Sequence, residues 1–105
     1  MMGHIPVRIV VAHAAAHTGV SASDILGPSQ IKPIAHARHL AVWLATRNAG
    51  LTQADLGLEF SRHRKTLVAS TRKIDSRRAR YEGFAQECEA LELTLRCRVF
   101  AREST

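Results

Sequence analysis

Apolar residues recur at three- and four-residue intervals along almost the whole chain, the spacing that places them on one face of successive α-helices. Val7, Val10, Val11, Ala14 and Ala15 predict a first helix over 6–18, stopped by Gly19. Ser21 opens Ser-Ala-Ser-Asp, an N-cap followed by an acid, and predicts a short helix ending near Leu26. Gly27-Pro28-Ser29-Gln30-Ile31-Lys32-Pro33 reads as a loop. Ile34, Ala37, Ala41, Leu44 and Ala45, with Leu40 and Trp43 beside them, predict a helix over 34–48 that ends at Asn48-Ala49-Gly50. Thr52 caps a short helix from Gln53 to Phe60, with Leu56 facing inward. Ser61 then begins a helix running to about Arg77 on Leu67, Val68, Thr71 and Ile74. A last helix over about 79–100 carries the stripe Phe84, Cys88, Leu91, Leu95 and Val99. Strand-like alternation is scarce. The pattern predicts an all-α compact bundle of about six helices, forming a single domain over residues 1–105.

Charge sharpens this picture. The 105 residues carry 15 Lys+Arg against 9 Asp+Glu, a formal net charge of +6. Between positions 62 and 80 lie Arg62, Arg64, Lys65, Arg72, Lys73, Arg77, Arg78 and Arg80, with Asp75 as the only acid. The rest of the chain is close to neutral, so nearly all the net charge lies on one helix and its exit. Such density repels itself, and an anionic partner offsets that repulsion. The basic run also follows a short capped helix and a tight turn at Phe60-Ser61, the layout of a helix-turn-helix. In that motif the second helix enters the major groove and its first residues meet base edges. The segment predicts base contacts from Arg64, Lys65 and Thr66. It predicts phosphate contacts from Arg62, His63, Arg38, Arg72 and Lys73.

These residues carry a family resemblance. Arg62-His63-Arg64-Lys65-Thr66-Leu67-Val68-Ala69-Ser70-Thr71-Arg72-Lys73-Ile74 is similar to the signature G-R-D-H-T-T-V-x-x-A-x-R-K-I of the DnaA C-terminal DNA-binding domain, within the Trp-repressor-like group. Arg62, Thr66, Arg72, Lys73 and Ile74 match outright. Asp24-Ile25-Leu26 resembles the family's D-L-L, and residues Ile34 to Ala41 resemble V-A-R-P-R-Q-x-A. Leu56-Gly57 and Phe60 fall where the family has I-G and F. Together the motifs cover about residues 7–97. The resemblance implies a helix-turn-helix that docks on double-stranded DNA, with the loop over 28–33 at an adjacent minor groove or phosphates. The family's minor-groove Arg falls on Gln30, which adds Gln30 to the base contacts and Lys32 to the phosphate contacts.

The departures bear on target choice. Where the family's recognition helix begins Asp-His-Thr-Thr, this chain has His63, Arg64, Lys65 and Thr66, and a later DNA-touching His is Ala69. The family's double Gly is shortened to Ser61. The family's initiators carry an ATPase module, whereas these residues hold no G-x-x-x-x-G-K-[ST] phosphate loop. The expected role is transcription regulation, as in small DnaA-like regulators of phage-like and gene-transfer-agent genes in alphaproteobacteria. Activation would proceed with a protein partner or RNA polymerase. An alternative is a replication accessory factor that competes with DnaA at an origin. A second alternative is a basic protein-interaction module. Relatives leave both monomer and dimer open.

Other chemistry is sparse. His13 and His17 lack the Glu of a metalloprotease helix, and His36 and His39 read as partly exposed helix residues. Cys88 and Cys97, nine positions apart on one helix, would be separated by about 13 Å of rise, too far to bridge. Trp43 reads as a core anchor. No paired carboxylates or nucleophile–base set is evident, so no catalytic site, metal or cofactor is expected. The first apolar run contains Arg8 and lacks a preceding Lys or Arg, unlike a signal peptide. No stretch reaches membrane-spanning length. The expected location is the cytoplasm, at the nucleoid.

Overall fold

The computed structural model of the chain describes residues 4–103. The expected domain's outermost positions, 1–3 and 104–105, lie outside the described residues. Six helices follow in order: α1 Val7–Thr18, α2 Ala22–Leu26, α3 Lys32–Asn48, α4 Gln53–Phe60, α5 Arg64–Arg80 and α6 Glu82–Glu103. The described residues contain no strand.

Local chemistry sets most boundaries. Gly19 takes a left-handed conformation at φ 78° and donates its N–H to Ala15, closing α1. Ser21 accepts the N–H of Asp24 at 3.1 Å and starts α2. Helix α3 begins two residues earlier than the apolar spacing predicts, because Pro33 sits in its first turn where no N–H is needed. The loop is thereby shortened to 27–31, and Lys32 becomes a helix residue.

Helix α3 is the axis of the fold. It packs mainly against α5 and α1, with α2 and α4 on its flanks. Its apolar surface therefore extends around the helix: Ala37, Leu40, Ala41, Val42, Trp43, Leu44 and Ala45 are all buried. Cys88, Leu91 and Leu95 of α6 join this core, and Phe84 and Val99 pack at its edge. Burial pushes the Cys88 thiol up to about 11, so it is a protonated core group.

Polar ties lock α6 to the rest. Glu92 accepts two hydrogen bonds from Arg47, at 2.7 and 3.1 Å, and one from Asn48 at 3.0 Å. Burial alone would raise the Glu92 carboxyl, but these bonds and the charges of Arg47 and Arg96 hold it below its ordinary value. The His13 Nε2 lies 3.0 Å from both the Leu91 carbonyl and the Thr94 hydroxyl. Among the described residues no group of three or more His, Cys, Asp or Glu is placed to hold a metal ion. No described helix is long and apolar enough to cross a membrane.

Candidate nucleic-acid interface

The α4–α5 hairpin is held by a tight turn. Thr52 caps α4, accepting the Asp55 N–H at 3.1 Å and donating to the Asp55 carboxylate at 2.9 Å. At the other end Ser61 adopts φ 52°, and the Arg62 N–H reaches back to the Gly57 carbonyl at 2.8 Å. The chain crosses itself closely here: a Cβ on Gly57 would lie 2.6 Å from the Arg62 carbonyl oxygen. Gly57→Ala should therefore force the turn apart and destabilise the fold by about 1–3 kcal/mol, measurable by denaturant unfolding.

This turn moves the start of α5. The helix begins at Arg64, not at Ser61 or Arg62, because His63 is extended and caps it by accepting the Lys65 N–H on Nδ1 at 3.1 Å. Leu67, Ser70 and Ile74 form its buried face. Val68 and Thr71, expected in the core stripe, are only half-buried, and Ser70 takes the inward position.

Arg64, Lys65, Val68, Ala69 and Arg72 instead line one side of an open cleft of about 680 Å³, with Gln53 of α4 on the other. The Gln53 side-chain oxygen is buried and has no hydrogen-bond partner. Gln53 and the apolar pair Val68 and Ala69 are members of this surface that a charge-based reading overlooks. Only the position of Gln53 behind the Thr52 cap could have indicated it. Thr66 is exposed but lies outside the cleft lining. A neighbouring hollow is lined by Ala54, Gly57, Leu58, Ser61, Arg62, His63 and Arg64. None of the ion pairs among the described residues uses Arg64, Lys65, Arg72 or Lys73. The one acid of the basic run is otherwise engaged: Asp75 accepts from Trp43 at 3.1 Å and from Arg78 at 3.2 Å. Trp43 is buried, with the Arg47 and Arg78 guanidinium groups over its ring.

The amino-acid sequence of this region matches a known family. The family described as "Bacterial dnaA protein helix-turn-helix" matches residues 7–74, which takes in the capped turn and the cleft-lining part of α5. The chain belongs to the bacterial DnaA helix-turn-helix family. The chromosomal replication initiator protein DnaA of Treponema pallidum (strain Nichols) is 30% identical over 73 residues, covering 69% of this chain and 16% of that protein. DnaA of Tropheryma whipplei (strain Twist) is 32% identical over 69 residues, covering 66% of this chain and 14% of that protein. The chain thus spans under a fifth of the length of these relatives. A DnaA-type helix-turn-helix is a DNA-binding domain and not a catalytic one.

Within this DnaA-type frame the other expected contact residues are dispersed. Gln30 is exposed in the loop, and Lys32 is exposed in the first turn of α3. Lys73 lies round the helix from the cleft, in a hollow with Arg72, Ser76, Arg77, Arg80 and Tyr81. Arg38 departs from the expected phosphate contact. It is 4% exposed, and its fork donates to the carbonyls of Ile25, Asp24 and Gly27 at 2.7, 3.2 and 2.8 Å. These carbonyls at the end of α2 need donors, and Arg38 supplies them from inside the fold.

His36 and His39 are partly exposed helix residues, as their sequence suggests. Half-buried His36 packs against the Phe84 ring, centroids 5.9 Å apart. Burial, followed by the nearby charges of Lys73, His36 and Arg38, lowers His39 to about 4. Burial and Arg77 lower His36 as well. Both are therefore neutral in the fold at neutral pH. The unfolded chain takes up protons first as pH falls below about 6.5, so stability should be lost between about pH 6.5 and 4. Thermal unfolding across this range should show that loss, and His39→Gln should reduce its pH slope.

Proposed function

We propose that this domain binds a specific double-stranded DNA site through α5 and regulates transcription there, acting with a protein partner such as RNA polymerase. The observation that carries the reading is the open cleft where Arg64, Lys65 and Arg72 meet Gln53 beside a tightly fixed helix-turn-helix. Arg64, Lys65 and Thr66, in the first turn of α5, are the proposed base readers, with Gln30 at the minor-groove edge. His63, Lys32, Arg72 and Lys73 are the proposed phosphate contacts. Arg38 and Arg62, expected as phosphate contacts, are left out: the donors of Arg38 serve the fold, and the Arg62 guanidinium is turned to the Gly27 carbonyl at 2.7 Å. Val68 and Ala69 give the cleft an apolar floor suited to a thymine methyl group.

The case for regulation rests on the first turn of α5, where Arg64 and Lys65 replace residues of the family signature and so alter what is read. A second reading, binding at a replication origin in competition with DnaA, draws support from the relatives, which are named as replication initiators. Selection from a pool of random duplexes separates the two. A consensus unlike the DnaA box supports the regulator, and recovery of that box supports the origin reading. Absence of any enriched sequence would overturn both.

A further inference from the structure

Two arginines from distant parts of the chain meet at one backbone oxygen. The Gly27 carbonyl accepts from Arg38 at 2.8 Å and from Arg62 at 2.7 Å. Arg38 comes from the central helix, and Arg62 from the α4–α5 turn, two residues before α5 begins. Gly27 is the first residue of the 27–31 loop, directly after α2. Both lone pairs of its carbonyl are thus used, and a carbonyl has no more to offer.

Arg62 has little freedom to do otherwise. Its backbone N–H is bound to the Gly57 carbonyl, and its own carbonyl oxygen lies 2.6 Å from where a Cβ on Gly57 would sit. Its second terminal nitrogen rests near the Phe60 and Ser61 carbonyls, at 3.5 and 3.4 Å. The guanidinium is planar and presents its donors in fixed directions, so it can bridge turn and loop as a rigid strut. A lysine has the charge but not the fork. None of the described ion pairs gives Arg38 or Arg62 a carboxylate partner, so their shared attachment is this carbonyl.

We propose that Arg62 is a positioning residue that ties the 27–31 loop to the start of the recognition helix, fixing the offset between two DNA-facing elements. The loop carries Gln30 and leads into Lys32, while the turn leads into Arg64 and Lys65. On this view the two elements engage DNA as one body, and contacts made by one favour contacts made by the other. The proposal rests on the DNA-binding reading for its consequence, but the tie itself exists in the free protein.

Arg62→Lys tests it in two arms, with circular dichroism to verify that the helices are kept. In the free protein, hydrogen exchange at Gly27 and Ile31, whose amides are hydrogen-bonded to the Asp24 carbonyl and the Ser29 hydroxyl, should rise about tenfold, as expected for losing one charge-assisted hydrogen bond, while the α5 core is unchanged. Unchanged loop exchange would overturn the tie, whatever the protein does with DNA. The second arm is a double-mutant cycle on duplex affinity between Lys32→Ala and Arg64→Ala. Their effects should be coupled by about three- to tenfold with Arg62 present and should become multiplicative with Arg62→Lys. If the coupling survives Arg62→Lys, or is absent with Arg62 present, the two elements act independently and the positioning role fails. If Arg62→Lys leaves both exchange and coupling intact while Arg62→Ala lowers the salt slope, Arg62 is a phosphate contact instead. Loss of all duplex binding by the unaltered protein would reject the DNA reading and leave the exchange result to decide the tie.

Discussion

Duplex affinity should fall by about 10²- to 10⁴-fold when salt is raised from about 50 to about 200 mM, with a slope of log K against log salt of about −4 to −6. The prediction follows from how the basic residues are used. Arg38 is internal, Arg62 is bound to Gly27, and Arg47, Arg78 and Arg96 are held by carboxylates. What remains along the interface is Lys32, Arg64, Lys65, Arg72, Lys73 and the Arg77–Arg80 end of α5, all with their charge open to solvent except Arg78. Five to seven phosphate contacts, as a rough count, each release about 0.9 of a condensed counterion, which gives the stated slope. Fluorescence anisotropy with a labelled duplex at four or more salt concentrations measures it. A slope near zero, or equal affinity for duplex and single strands, would contradict major-groove docking.

The order of helices was legible in the chain because each boundary has a local chemical marker. Gly19, Ser21 and Thr52 do what their residue types predict, and the stripe on α6 lies where its spacing puts it. The start of α5 was not legible. A left-handed residue there suggests glycine or asparagine, yet Ser61 takes that conformation in the C-terminal cap of α4, where the Arg62 N–H bonds back to the Gly57 carbonyl. Nor was the role of Arg38 legible. An arginine whose partners are backbone carbonyls looks identical, in sequence, to one that meets phosphate. The inward face of α5 was misread for a related reason. Val68 is more apolar than Ser70, but Ser70 shares the buried face of α5 with Leu67 and Ile74, three and four residues away, and Val68 is left at the cleft. The basic run itself was fully legible, since charge density survives any error in helix phase.

Arg64→Ala and Lys65→Ala should each weaken binding to the selected site by about 1–3 kcal/mol, roughly five- to 150-fold, and relax preference at one or two base pairs. Both residues stand in the first turn of α5, on the wall of the open cleft, where a long side chain can reach a guanine edge. Arg72 lines the same cleft two turns further along, about 12 Å up the helix axis from Arg64 by rise. A side chain there meets the sugar-phosphate wall. Arg72→Ala should accordingly weaken all sequences alike and reduce the salt slope by about one unit. The contrast between the two classes is the informative quantity, because affinity loss alone would not separate a base contact from a general loss of charge. All three residues are exposed, so each variant should keep its helical circular dichroism and its unfolding midpoint. The comparison requires each variant to be measured on the selected site, on single-base changes of it, and on unrelated duplex at matched salt. If Arg64→Ala and Lys65→Ala retain the full sequence preference while Arg72→Ala loses it, the base-reading part of α5 lies deeper along the helix, and Ala69 and Val68 become the residues nearest the bases.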